Sequence, residues 1–393
     1  MAPATAQAPK LAILTTLLRA DLHHPLSYFN RFEVWHLYHR VANDISRDEL
    51  GIRTIRFRNC LDLVFKLLRL KPALIQGGEP YDFPAQFPLI VATILASAIL
   101  RIPYYFPTFE NIPPEKKFDQ IYRLGIPLSP ILIPFIKFVA RFYAHRASLI
   151  FAVNQGAQAN MRALQCPKEK ISNLLYATWG VDTEFFLPTP QGDEPDMGPN
   201  GILFVGRLIE LKGVLNLLEA FSAVKNHILD AQLFIIGEGP LKNRLSQTTE
   251  SKNISGSIHL LGVVPNRNLP PYFRAARVTV TPSKSTYRWA EQVGMVNIQS
   301  IACGTPVIST KSGSIPEFVR DGVTGILVPE NDPKALAEAI IRVLIDQKLH
   351  NFLSKNCRVF AEEHYDARKN LFRVEKLLWT RFLERKRTYE NFI

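Results

Sequence analysis

The chain has 393 residues, 47% of them hydrophobic, with 47 Lys and Arg against 35 Asp and Glu for a formal net charge of +12. That length exceeds one ordinary core and suits two domains, and that apolar fraction excludes a disordered chain. The basic excess is spread along both halves without a block of like charge, so charge alone does not choose among nucleic acid, anionic lipid and phosphorylated ligands.

The first ten residues are small and polar. The short LAILTTLL that follows has no cleavage pattern behind it and reads as a first strand, not a secretory signal. Short apolar runs then alternate with longer periodic segments, the pattern of βα units around parallel sheets. The first half predicts strands at Leu11–Thr16, Ile52–Arg58, Ala73–Gln76, Pro103–Pro107, Leu149–Asn154 and Ile171–Tyr176. Phe87–Leu100 is too short to span a bilayer and predicts a buried helix. Leu124–Arg146 combines apolar residues with Lys137, Arg141, His145 and Arg146, which suits either a membrane surface or an ordinary helix against its own sheet. The proline- and glycine-rich stretch Leu187–Gly201 reads as a linker, giving domains at 1–187 and 201–365. The second half predicts strands at Ile202–Val205, Gln232–Ile236, Ile258–Leu261, Val278–Thr281, Pro306–Ser309 and Gly325–Val328. From Asp366 a long helical pattern of mixed charge predicts a C-terminal helix, 366–393, that crosses back onto the first domain. Cys60, Cys166, Cys303 and Cys357 form no C-x-x-C pair and read as reduced core thiols, with no metal site implied.

Three stretches of the second half place polar chemistry at strand ends. FVGRLIELKG follows a strand: Gly206 permits a tight turn, and Arg207 offers a planar fork of donors suited to phosphate oxygens. Lys212 adds a second cation near a helix start, where free N–H groups attract anions. IIGEGP puts Gly237 at another strand end, either for close ligand approach or for a turn in which Pro240 starts a helix. In TPSKSTYRWAEQVGMVNIQSIACGTPVIS a strand ends near Pro282, and a helix runs from near Gly294 to near Cys303, stopped by Gly304. Glu291 precedes that helix and Gln299 lies about two turns further on, so both can face the carboxyl end of the sheet. The N–H groups of Val293, Gly294 and Met295 point the same way. Such a set suits a sugar attached to a phosphate.

These residues, in this order, resemble the donor domain of the retaining glycosyltransferases of family 4 (group 1 glycosyltransferases), which have the GT-B fold. The resemblance covers residues 201–345 and rests on Gly206, Arg207, Lys212 and Gly213, then Gly237, Gly239 and Pro240, then Pro282 and Ser283. It continues through Glu291, Gly294, Ala302, Gly304, Pro306 and Val307, and through Ser312–Glu317 and Asp321–Pro329; Gly180–Pro188 resembles the family's last piece before the linker. The resemblance implies two Rossmann-like α/β domains whose parallel sheets face across a cleft, with the acceptor on the first and a nucleotide-sugar donor on the second. It implies that Arg207 and Lys212 hold the donor diphosphate and that Glu291 bonds the sugar hydroxyls, with Ser283 in the donor site. Val263 and Val264 then sit by the nucleobase. Transfer with retention and without a metal or cofactor follows, in agreement with the absence of an Asp-x-Asp motif. The chain departs from the pattern at Gln299, where the family has a ribose-binding Glu, and at Gln292 and Val293, which replace Gly-Phe. RADLHHPLSYF follows the first strand without the family's Gly-Gly turn.

The first domain offers Glu79 in GGEPYDFPAQ and Glu110 and Asn111 in FPTFENIPPE, each after a strand. A Glu where the family often has a His can orient an acceptor hydroxyl or the donor sugar; the other reading is a solvated loop acid. His23 and His24 after the first strand are acceptor-side candidates or surface residues. Together these readings predict a hexosyl-type glycosyltransferase acting on a glycan, lipid-linked or polysaccharide-precursor acceptor. The alternative is a degenerate, non-catalytic family member acting as a binding or partner subunit, which Gln299 favours and Arg207, Lys212 and Glu291 oppose. No G-x-G-x-x-G follows a first strand in either half, which argues against a dinucleotide oxidoreductase. No nucleic-acid partner is expected. The expected placement is cytoplasmic, with peripheral contact at the inner, anionic face of the membrane.

Overall fold

The computed structural model describes residues 8–42, 45, 50–51, 53–82, 85–113, 116, 129–172, 174, 180–252 and 254–390. They divide into two compact units, Met1–Gly180 with Ala367–Ile393, and Val181–Asp366.

The first unit is built on β1 (Lys10–Leu18), β2 (Glu33–Val41), β3 (Thr54–Arg56), β4 (Leu74–Gln76), β5 (Tyr104–Thr108), β6 (Leu149–Ala152) and β7 (Ile171–Ser172). All pairings are parallel, in the order β3-β2-β1-β4-β5-β6-β7. Strand side chains alternate between faces. Ala12 and Leu14 join one core with the helices Cys60–Leu70, Phe87–Leu100 and Ser129–Arg146, while Leu11 and Ile13 join another with Leu371, Val374 and Leu378 of the C-terminal helix Ala367–Glu390. Glu375 of that helix is buried and accepts hydrogen bonds from the backbone N–H groups of Asn30 (2.8 Å) and Arg31 (2.5 Å). The chain's last helix therefore completes its first unit.

The second unit contains β8 (Gly201–Val205), β9 (Gln232–Ile236), β10 (Ile258–Gly262), β11 (Val278–Thr281), β12 (Val307–Thr310) and β13 (Gly325–Val328), again parallel, in the order β10-β9-β8-β11-β12-β13. Strand order reverses between β8 and β11, and between β1 and β4 in the first unit. Crevices at the carboxyl ends of such sheets open at these reversals.

Three differences from the sequence-based expectations have physical causes. β2 gives no apolar run, because His36 occupies a core position in EVWHLYHRV at 2% exposure. Phe87–Leu100 is helical but buried on one side only; Leu95 and Ile99 face outward because the sheet covers a single stripe of it. The proline-rich stretch does not divide the units. Met197 within it is buried, and Asp193 and Glu194 pair with Arg274 of the second unit at 2.7 and 2.5 Å, so the division falls at Gly180 and Val181. β3 runs from Thr54 to Arg56, and the described part of β7 is Ile171–Ser172. Ile52, Asn173, Leu175, Tyr176 and residues 124–128 and 391–393 of the expected elements lie outside the described residues.

Replacing Glu375 by Ala removes a buried charged acceptor from the backbone N–H groups of Asn30 and Arg31, at about 1.5–3 kcal/mol each. The denaturant midpoint of the first unit should fall accordingly, whereas Phe372→Ala on the exposed side of the same helix should leave it nearly unchanged.

Candidate functional site

The carboxyl ends of β8 and β9 touch through their backbones. The Gly206 N–H donates to Ile236 O at 2.9 Å, and a β-carbon on Gly237 would lie 1.9 Å from Gly206 O. Gly237 has φ +140°, which leaves the position to glycine. Its N–H donates to Gly262 O at the end of β10, at 2.7 Å. Arg207 leaves this ledge exposed, with no side-chain hydrogen bond or ion pair among the described residues.

The chain then makes a short turn, Glu210–Lys212, closed by Gly213 at φ +67°. A β-carbon there would lie 1.8 Å from Pro282 O, so the loop after β8 presses on the end of β11. This contact delivers Lys212 to Glu291, Nζ to Oε2 at 2.6 Å. Ser283 Oγ donates to the same oxygen at 3.0 Å, and the Trp289 ring centroid lies 5.2 Å from Nζ. Lys212 and Glu291 are mostly buried, so their attraction is screened less than that of a surface pair. Glu291 O also accepts the Ser314 N–H at 2.8 Å, which ties its loop to the one after β12.

The helix Met295–Ala302 begins at Gly294, whose φ of +72° turns the chain into it. Val293, Gly294 and Met295 are partly exposed at this positive helix end. Buried Asn297 accepts from Thr281 Oγ1 at 2.5 Å and pins the first turn to β11. Gly304 closes the far end at φ +76°. Gln299 is buried and does not join Glu291: its Nε2 donates to Asn266 Oδ1 at 2.8 Å, in the loop after β10 that also holds exposed Val263 and partly exposed Val264. The structure thus gathers Lys212, Ser283 and Glu291 into one cluster and puts Gln299 in a second.

Three members of this region lacked a sequence signal. Asn266 and Trp289 enter only through spatial contact. Glu330 accepts from Ser285 through both N–H and Oγ at 2.7 Å, and Ser285 Oγ lies 2.9 Å from Ser312 Oγ, which braces the loop after β11.

In the first unit, Glu79 and Glu110 follow β4 and β5 and are both buried, not solvated loop acids. Glu79 accepts from Thr108 Oγ1 (3.0 Å) and Phe109 N–H (2.8 Å), and Glu110 accepts from Ile112 N–H (2.9 Å). Asn111 packs against Gly156, where a β-carbon would meet its Cβ at 2.6 Å. His24 is exposed in a short turn. Its neighbour His23 meets His36 through their Nδ1 atoms at 3.0 Å, and Thr15 Oγ1 is 2.8 Å from His36 Nε2. His36 carried no signal from sequence, since one His in a strand has no motif.

Comparison with known proteins gives the class of the fold. The chain has a GT-B fold of two parallel-sheet Rossmann-like domains. Its structure is similar to that of HepE from Anabaena, with a TM-score of 0.72 over 95% of this chain and 100% of that one, at 16% identity. Residues 189–360 match the family model of glycosyl transferases group 1. Among relatives, the chain is 25% identical to a GDP-mannose-dependent alpha-(1-6)-phosphatidylinositol monomannoside mannosyltransferase of Mycolicibacterium smegmatis, over 63% of this chain and 66% of that protein. It is 34% identical to a D-inositol 3-phosphate glycosyltransferase of Thermobifida fusca, over 37% of this chain and 35% of that protein. The chain therefore spans under two thirds of the length of these curated relatives.

Two buried groups make stability depend on pH in opposite directions. Burial, reinforced by neighbouring Glu110, raises the Glu79 carboxyl from 4.5 to about 8, despite its backbone hydrogen bond from Phe109. A raised acid contributes stability that is complete below 4.5 and is lost as pH climbs through about 8. Burial, and then His23, lowers His36 from 6.5 to about 3. Its contribution is complete above 6.5 and is lost as pH falls through about 3. Melting curves should therefore show Glu79→Gln gaining on the wild type near pH 8 and not near pH 4.5. The His36→Gln variant should lose less than the wild type between pH 6.5 and pH 3.

Proposed function

We propose that the protein is a glycosyltransferase that moves a sugar from a nucleotide-sugar donor to an acceptor hydroxyl, with the donor held on the second unit. The observation that carries this reading is the Lys212–Glu291–Ser283 cluster beside Arg207 and the open start of the helix Met295–Ala302. All of it lies within the segment matched by the group 1 model. The named activities of the relatives, and the UDP and glucose bound by HepE, support a nucleotide-sugar donor.

Each residue has a role in this reading. Arg207 and Lys212 neutralise the donor diphosphate and the charge that grows on it as the nucleotide leaves. That supply of fixed positive charge supports transfer without a metal. The Glu291 carboxylate bonds sugar hydroxyls while Lys212 and Ser283 fix its position. The N–H groups at Gly294 and Met295 face the phosphate. The loop at Val263 and Val264 offers backbone groups to the base, and Gln299, oriented by Asn266, bonds the ribose. In the transfer the acceptor oxygen bonds to the anomeric carbon as the bond from that carbon to the phosphate oxygen breaks. The acceptor proton passes to a phosphate oxygen on the same face, which retains the configuration. On the first unit, Glu79 and Glu110 order the loops after β4 and β5 on the acceptor side, with Asn111 packed against Gly156. A hexose donor, a glycan or lipid-linked acceptor and a cytoplasmic setting belong to the same reading.

Arg207→Ala and Lys212→Ala should each lower turnover by about 10²–10³-fold. The Arg207→Ala melting midpoint should stay close to wild type, while that of Lys212→Ala should fall because Glu291 loses its partner; near-normal sugar transfer by both variants would refute the assignment. Gln299→Glu should change the KM for the nucleotide sugar by about five- to thirtyfold, matching the 1–2 kcal/mol between neutral and charged hydrogen bonds, with a smaller change in kcat.

A further inference from the structure

One face of the first unit's sheet is covered by the helices Cys60–Leu70, Phe87–Leu100 and Ser129–Arg146. Their inward residues, such as Leu67, Leu89 and Tyr143, close a single core with the strands. Their outward residues are unusual. On Ser129–Arg146, Ile131, Phe135, Phe138 and Phe142 recur at helical spacing and are 73%, 52%, 65% and 40% exposed. Leu61 and Phe65 on the first helix are 69% and 70% exposed, and Ile99 on the second is 60% exposed. Isolated exposed apolar residues need no explanation, but a layer of helices that all turn large apolar side chains outward does.

The charge on the same layer is one-sided. These helices, with the residues Lys71 and Arg101 that end the first two, carry seven Lys and Arg and one acid, Asp62. Asp62 is paired with Lys66 at 2.8 Å. On Ser129–Arg146 the exposed cations Lys137 and Arg141 alternate with the phenylalanines, and the Arg146 guanidinium lies 5.6 Å from the Phe142 ring centroid. Aromatic rings interleaved with long basic side chains match the headgroup boundary of an anionic bilayer. The rings enter the acyl edge there while the cations stay with the lipid phosphates. No described helix is long and apolar enough to cross a membrane, which leaves contact in the plane of the surface.

We propose that the outward face of these three helices docks the protein on an anionic lipid surface. The docking residues are distinct from those assigned to sugar transfer, so either assignment can fail without the other. The experiment is co-sedimentation of the full chain with phosphatidylcholine vesicles, with and without phosphatidylglycerol. Partition onto the anionic vesicles should exceed that onto the neutral ones and should weaken with salt. The double variant Phe135→Ser, Phe138→Ser should reduce partition about tenfold or more. Lys137→Ala and Arg141→Ala should each reduce it about fivefold. These side chains are exposed, so unchanged melting midpoints in the same variants would show that the fold is intact. The proposal is overturned by equal partition onto both vesicle types, by no partition onto either, or by partition that survives the phenylalanine changes. It is also overturned if the wild type self-associates without lipid and the phenylalanine variant does not, because a second copy of the chain would then be the partner.

Discussion

Close backbone approach at the carboxyl end of β8 is the constraint on which the candidate site depends. Gly237 lies against Gly206 O and Gly213 lies against Pro282 O, and neither position has room for a β-carbon. With side chains there, the loops after β8 and β11 would stand apart, and Lys212 would not reach Glu291. The glycines also leave Arg207 and the start of the helix Met295–Ala302 at one rim. The polar chemistry of the second unit thus follows from steric permission at two residues.

The first unit orders its strand ends differently, with buried side chains in place of backbone contact. Glu79 binds the end of β5 through Thr108 and Phe109. Asn154 donates to Phe109 O, and Asn160 donates to the carbonyls of Glu110 and Ile112, so the loop after β5 is held from several elements. Buried polar groups of this kind are stable only when satisfied, which makes the arrangement specific and sensitive to protonation. Burial favours the neutral form of each group, which raises the acid Glu79 and lowers the base His36, so the two respond to pH in opposite senses.

The two faces of the first sheet are closed by different means. One is covered by local βα helices that turn apolar and basic residues outward. The other is completed by Ala367–Glu390 from the far end of the chain, where Glu375 caps two backbone N–H groups next to an apolar seam. The core of the first unit is therefore assembled from both ends of the chain, a non-local closure that local sequence pattern cannot display.

Sequence alone determined the α/β class, most strand positions and the order of Arg207, Lys212, Glu291 and Gly294. Parallel strands covered on both faces read as apolar runs, and glycines needed at positive φ stand out in a chain. It missed β2, because a buried neutral His36 breaks the run, and it read the proline-rich stretch as a free linker, because composition does not show that Arg274 holds it. Only the tertiary structure decided that Gln299 turns to Asn266 and away from Glu291, that Glu79 and Glu110 are buried, and that three helices packed on one core each leave large apolar side chains exposed. Each of these depends on distances between segments far apart in sequence. Residue spacing specifies which face of a helix or strand a side chain occupies, but the packing of distant elements specifies what that face meets.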